Sequence, residues 1–316
     1  MDKPRFEATL GQNASDGQVR WSVAQSLWLT AMTLTGAIGG YLTFSLEAVL
    51  VFLVTTAGTL CFGHSLGMHR LLIHRSYRTF KPIEYVFVWL GVLVGLGGPL
   101  GMMSTHDLRD WAQRQTRCHD YFAHRQPLLR DAWWQLHCAI HLKNGPRFVP
   151  EATVADDPVY RWLERTWRGQ QLLPALGLYL LGDLSWVIWG ICCRVSVSIL
   201  GHWLVGYFAH NQGQRRWHVR GAGVQGYNVP WLGLITMGES WHNNHHAFPN
   251  SARIGLYPGQ SDPGWWCLKM LESAGVTWQL RLPDGVDHGA RLSPLPSPED
   301  SLGATRGEEK WAKLEA

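Results

Sequence analysis

The sequence predicts an all-α integral membrane protein: four transmembrane helices, paired as two hairpins, under a cytosolic helical cap that carries a histidine-rich site for two metals. Three observations predict it. The apolar residues are bunched, so that 22–63 holds one formal charge, Glu47, and 169–193 holds one, Asp183. The 316-residue chain has 18 tryptophans, a residue suited to the membrane interface because its ring favours one apolar and one wet neighbour. Its 15 histidines include three clusters just outside the apolar stretches.

The elements follow in order. Residues 1–20 read as a mobile polar tail without a signal-peptide pattern. Residues 21–41 and 45–62 are apolar and each near the roughly 20 residues that span hydrocarbon. The turn between them falls at Gly39 to Ser45. Residues 85–103 are also apolar, but Gly91, Gly95, Gly97, Gly98, Pro99 and Gly101 make the end a poor helix former. This segment reads as interfacial or re-entrant. Residues 104–168 are polar and read as a layer of short helices. A second hairpin follows over 172–191 and 195–209, with its turn at Cys192-Cys193-Arg194 and with Asp183 as a costly acid inside the first arm. Residues 21–282 form one membrane domain, and 283–316, rich in Pro, Gly and charge, reads as a disordered tail.

Basic residues set the orientation. Lys3, Arg5 and Arg20 precede the first hairpin, and Arg70, Arg75, Arg78 and Lys81 follow it. Its turn has no Lys or Arg, so both termini and the histidines fall on the cytosolic side. Were 85–103 to cross, the second histidine cluster would emerge a bilayer away from the first, which is why four spans are predicted. The charged fraction of 16% and net charge of +4 are too low for a nucleic-acid footprint. The six cysteines are scattered, with no disulfide framework.

Three histidine clusters stand out: His64, His69 and His74; then His106, Cys118-His119 and His124; then His242, His245 and His246, with His210 upstream. His242, His245 and His246 at i, i+3 and i+4 fall within about 100° of one helix face. They suit neutral nitrogen donors to a metal. His69 and His74 lie about 140° apart on an α-helix, so they converge only from a helix end or toward two ions. One tetrahedral ion takes three or four ligands. So many histidines on one side fit two ions, and imidazole alone does not select among iron, copper, zinc and nickel. His64, His137, His141, His218 and His288 read as solvated or hydrogen-bonded side chains, and His202 as a packed one.

These residues resemble the membrane fatty-acid desaturases, of the acyl-CoA type related to stearoyl-CoA desaturase. His69-Arg-Leu-Leu-Ile-His74-Arg-Ser-Tyr resembles the family's first box. Gly238-Glu-Ser-Trp-His242-Asn-Asn-His245-His246-Ala-Phe-Pro249 is similar to its third, and Ser251 to Leu256 and Asp262 to Trp266 also match. The likeness covers roughly 45–280. It implies a mushroom-shaped fold and two irons (Fe2+), with His69, His74, His210, His242, His245 and His246 at the positions of family ligands. It implies that O2 is activated and hydrogen removed from two adjacent methylenes of a long acyl chain, an acyl-CoA, held in a buried tunnel. It implies an electron donor of the cytochrome b5, ferredoxin or rubredoxin type.

The sequence departs from the family at the second box, His-x-x-His-His. Aligned on Trp111-Ala112, only His119 of the three remains, with Gln115 and Cys118 in the other places. His106, Cys118 and His124 are the substitutes that the chain offers. Gly206 stands where the family has an asparagine. Three outcomes follow: substitute ligands, one weakly held metal, or lost activity. The competing readings are a related di-iron lipid hydroxylase, a catalytically impaired metal-binding membrane protein, and a membrane protein with no metal.

Overall fold

A run with one acid and no proline forms the helix Leu46–Ile73. Ser45 opens it, its hydroxyl accepting from the Ala48 N–H at 3.1 Å, and Glu47 complements the dipole of the first turn. Asp183 opens the helix Leu184–Asn211 in the same way, accepting from the Ser185 N–H at 2.6 Å. In this computed structural model, which describes residues 5–7, 9, 11–283 and 291–295, the chain is mostly helical. Among the described residues these two 28-residue helices are long and apolar enough to cross a membrane. Shorter apolar helical stretches precede each of them, over 23–42 and over Leu172–Leu181.

The second hairpin differs from its sequence reading. Cys192, Cys193 and Arg194 lie inside the helix, and the turn falls at Gly182-Asp183. The physical reason is local. Gly182 takes an irregular conformation, and Asp183 is an N-cap and not an acid within a span. Arg194 is buried, donating to Gln171 Oε1 at 2.6 Å, to the Gly190 carbonyl at 2.7 Å and to the Leu93 carbonyl. The first long helix also runs past the expected limit of 62, to Ile73.

Glycines let the next helix, Lys81–Leu93, lie against the first long one. A Cβ at Gly63 would meet the Leu90 carbonyl carbon at 2.3 Å, and one at Gly67 the Phe87 oxygen at 2.3 Å. Small residues four apart permit such contact between backbones. Met68, Leu72, Val88, Val92, Met103, Tyr160 and Leu163 pack around this seam. Each such buried apolar side chain contributes about 1.5–3 kcal/mol. After Leu93 the chain breaks at Gly95, where φ is +90°, and returns as the helix Pro99–Gln113.

The polar layer holds further short helices, Asp120–Ala123, Leu128–His137, Ala152–Ala155 and Pro158–Thr166. It also holds antiparallel pairs that sequence reading missed. Gly17–Trp21 pairs with Cys138–Leu142 in the register Val19 to Ile140, so the expected mobile tail is anchored. Arg5 is tied too, lying 2.9 Å from both Asp107 and Glu151. Of 283–316, only Pro283 and 291–295 lie among the described residues; there Leu292–Pro294 pairs with Trp217–Val219. Arg70 is buried 2.7 Å from the Asp262 carboxylate and donates to the Ala252 carbonyl at 2.9 Å, binding the first long helix to the segment after the third histidine cluster. Removing one partner of such a pair costs about 3–5 kcal/mol.

Candidate metal centre

His69 and His74 come together through an unusual winding. Thr59–Ile73 is a π-helix, in which each N–H bonds the carbonyl five residues back. The His74 N–H continues the pattern, bonding the His69 carbonyl at 3.0 Å. A five-residue spacing diverges on an α-helix but returns to one side of a π-helix, and the two rings stand 4.7 Å apart. The helix Pro99–Gln113 adds His106, and the helix His242–Ala247 adds His245. In this first group each of the four residues offers a nitrogen within 4.8 Å of the others, with His74 Nε2 3.3 Å from His106 Nε2.

His210, near the end of the helix Leu184–Asn211, meets His242 and His246 in a second group. His242 Nε2 lies 3.2 Å from His210 Nε2 and 2.9 Å from His246 Nε2. Two nitrogens that share an ion at about 2.0–2.1 Å each stand about 3 Å apart. Both groups therefore fit a metal. The trio on the short helix does not converge on one point: His245 turns to the first group, and His242 and His246 to the second. The rings of His242 and His245 are 5.8 Å apart, so the groups are neighbours.

The loop around that helix is held by amides. Asn228 Oδ1 accepts from the Asn243 N–H at 2.9 Å, and Asn243 Oδ1 from the Arg216 and Trp217 N–H groups at 2.8 and 2.9 Å. Asn244 Nδ2 donates to the Ile254 carbonyl at 2.9 Å. These bonds hold the backbone that carries the three rings.

Burial, and then the neighbouring imidazoles, hold His74, His242 and His245 well below the usual 6.5, so they are neutral donors at neutral pH. Burial also lowers His246, to about 4, against the opposing pull of Asp110. His106 is raised: burial opposes the proton, but the Asp110 and Asp107 carboxylates outweigh it. Glu239 lies 2.6 Å from His69 Nδ1 and accepts from the Ser65 hydroxyl at 2.5 Å. Burial disfavours its charge, yet His69 and Arg70 hold its carboxyl down at about 2.

Three residues expected as ligands stand apart from both groups. His119 is half-buried beside Trp134, and its Nδ1 accepts from the Tyr121 N–H at 3.1 Å as a helix cap. Cys118 packs among Ala112, Phe122 and Val224, and burial pushes its thiol up to about 11. His124 stacks on His210, ring centres 5.3 Å apart, but both its nitrogens are used, Nδ1 with Asp131 at 2.9 Å and Nε2 with Arg109. Its ring lies over Gly206, where a Cβ would meet Nε2 at 3.3 Å, so any side chain there would press on the ring. His202 packs edge-on against His64, 5.1 Å between ring centres.

Sequence reasoning set the second box in the wrong frame. His106, and not His119, joins the first group, so the stretch that reaches the site is His106-Asp-Leu-Arg109-Asp110 and not the run from Gln115. The signal was present, because His106, Arg109 and Asp110 repeat the spacing of His242, His245 and His246. Gln113, one turn beyond Arg109, places Nε2 2.9 Å from His210 Nε2. Glu239 was legible only as part of a matching box, without a role.

No protein-family model matches the chain. It is 34% identical over 251 residues to an sn-1 stearoyl-lipid 9-desaturase of Anabaena variabilis, covering 76% of this chain and 86% of that protein. It is 30% identical over 256 residues to an acyl-CoA C20 Delta5-desaturase of Anemone leveillei, covering 79% of each. It is 30% identical over 258 residues to an sn-2 palmitoyl-lipid 9-desaturase of Nostoc sp. (strain 36), covering 79% of this chain and 87% of that protein. Likeness of this extent, together with two adjacent nests of imidazole nitrogens, makes the chain a member of the fatty-acid desaturase family of oxidoreductases.

Proposed function

We propose that this chain desaturates a long-chain acyl group at a pair of irons, one held by His69, His74, His106 and His245 and one by His210, His242 and His246. The observation that carries this reading is the adjacency of the two nitrogen groups. The reaction takes a –CH2–CH2– unit, O2, two electrons and two protons to –CH=CH– and two waters. Iron in such a set supplies O2 reduction and attack on an unactivated C–H bond. An acyl chain offers no charge at the reacting carbons, so shape alone can position it. The carrier proposed is CoA; the Anabaena and Nostoc relatives, named for lipid substrates, favour a glycerolipid as the second reading. Electrons come from a cytochrome b5, ferredoxin or rubredoxin type of donor.

The reading includes four spans, with the metal groups in a cap on the cytosolic side. Leu27, Leu34, Ile38, Leu50, Leu53, Leu176, Leu180 and Val197 are exposed apolar residues on the four apolar stretches, which suits contact with lipid. Thr43 to Ser45 and Gly182-Asp183 line one pocket, so the two turns lie together. With Arg194 inside a helix, neither turn holds a Lys or Arg, which favours the cytosolic side for the opposite, arginine-flanked ends. The break at Gly95 and the return of His106 to His74 support a segment that does not cross.

Expression in a host that lacks unsaturated fatty acids, followed by lipid analysis, tests the reading. New unsaturated acyl chains, lost in His245→Ala, are expected. Hydroxylated lipid would replace it with the hydroxylase reading. Bound iron without any new lipid, when a donor is supplied, would replace it with that of a metal-binding protein.

A further inference from the structure

The two groups differ in what stands behind their rings. In the first, the Glu239 carboxylate lies 2.6 Å from His69 Nδ1 and the Asp107 carboxylate 3.3 Å from His106 Nδ1. A carboxylate behind a ligating ring fixes its tautomer and raises its basicity. In the second, His210 Nδ1 donates to the Gly206 carbonyl at 2.7 Å, which leaves Nε2 as the free lone pair. That nitrogen is met by the Gln113 amide at 2.9 Å. An amide NH2 has only hydrogens to offer, so it occupies the lone pair that an ion would need.

Arg109 stands one turn before Gln113 on the same helix. Its guanidinium donates to His124 Nε2 and, at 2.8 Å, to Gln135 Oε1. Both acceptors are neutral, and the cation cannot be deprotonated. His124 in turn stacks on His210. A fixed positive charge therefore borders the group of three imidazoles, where it opposes a dication; the Asp110 and Asp131 carboxylates nearby offset part of it, but neither bonds the guanidinium directly.

We infer that the two groups hold metal unequally: His69, His74, His106 and His245 hold a tight ion, and His210, His242 and His246 a labile one whose affinity Arg109 and Gln113 set. This rests on the metal centre of the proposed function and goes beyond it. The second box has thus lost its symmetry in function as well as in sequence. His106 serves the tight ion, while Arg109 and Gln113 from the same helix guard the labile one.

The test is anaerobic loading of the full-length protein in detergent with ferrous iron, followed by competition with a graded ferrous chelator and an iron count. Wild type should release the second iron at a chelator strength that leaves the first in place. Arg109→Gln should tighten the labile ion about 10- to 100-fold, the scale of a change behind the ligands. Arg109→Lys keeps the charge and should leave the labile phase in place. His246→Ala should remove only that phase. Release of two irons in a single phase from wild type, no tightening in Arg109→Gln, equal tightening in Arg109→Lys, or loss of the tight iron in His246→Ala would each overturn the inference alone. Uptake of no iron by folded wild type, judged by circular dichroism, would overturn both the inference and the iron centre beneath it.

Discussion

His74 donates its backbone N–H to the carbonyl of His69, five residues back, and the π-helical turn that this closes sets both rings against one group. Residues that share an ion act as a unit, so their losses do not add. His69→Ala and His74→Ala should each abolish tight iron, and the double variant should lose no more than either single one. Additive losses in chelator competition would mean that the two rings serve different ions.

Glu239→Gln keeps the size of the side chain but removes the charge behind His69. Iron affinity of the first group should fall about 10- to 100-fold. The helical signal should be unchanged. A variant that binds iron as wild type does would reduce the 2.6 Å contact to packing.

Gly67→Ala drives a methyl to 2.3 Å from the Phe87 carbonyl oxygen, whereas Gly58, on the same long helix, has nothing within 4 Å. Overpacking of this kind costs about 1–3 kcal/mol. The melting temperature of Gly67→Ala should fall clearly and that of Gly58→Ala should not. Equal melting curves would show that the helices part easily at this seam.

His119→Ala and Cys118→Ser should retain iron as wild type does, because the structure gives the first a capping role and the second a place among apolar residues. A drop in bound iron in either variant would bring the expectation drawn from Trp111-Ala112 back into force.

Burial first, and Arg109 next, hold His124 down at about 4, against its bond to Asp131. Its ordinary value is 6.5, so between 6.5 and about 4 the unfolded chain binds a proton that the folded chain refuses. This share of stability is full above pH 6.5 and drains away as the pH falls toward 4. Iron-free protein should melt progressively lower on acidification over that window, and His124→Gln should flatten the decline. A melting temperature indifferent to pH there would contradict the buried, neutral His124.

The histidine boxes were legible because ligand spacing on a short helix is local: His242, His245 and His246 declare themselves within five residues. What those residues then do is not local. The split of the trio between two groups depends on where helices far away in the chain deliver His69, His106 and His210. The π-winding of Thr59–Ile73 leaves no mark in hydropathy, so the five-residue spacing argued for divergence. The turn at Gly182-Asp183 is legible from glycine and an N-cap, but the apolar run that continues past them to a lone arginine points to Cys192-Cys193-Arg194 instead. The pairing of Gly17–Trp21 with Cys138–Leu142 joins segments with no shared local signal. Arg109 and Gln113 were hidden by a frame fixed on Trp111.

The six-residue helix His242–Ala247 is a yoke between the two nests, with His245 on one and His242 and His246 on the other. Whatever tilts it moves all three rings together. An ion that tilted the helix on filling one nest would change the affinity of the other, and linkage would make that effect equal in both directions. The short helix thus joins the two nests mechanically, while Arg109 and Gln113 act on one of them alone.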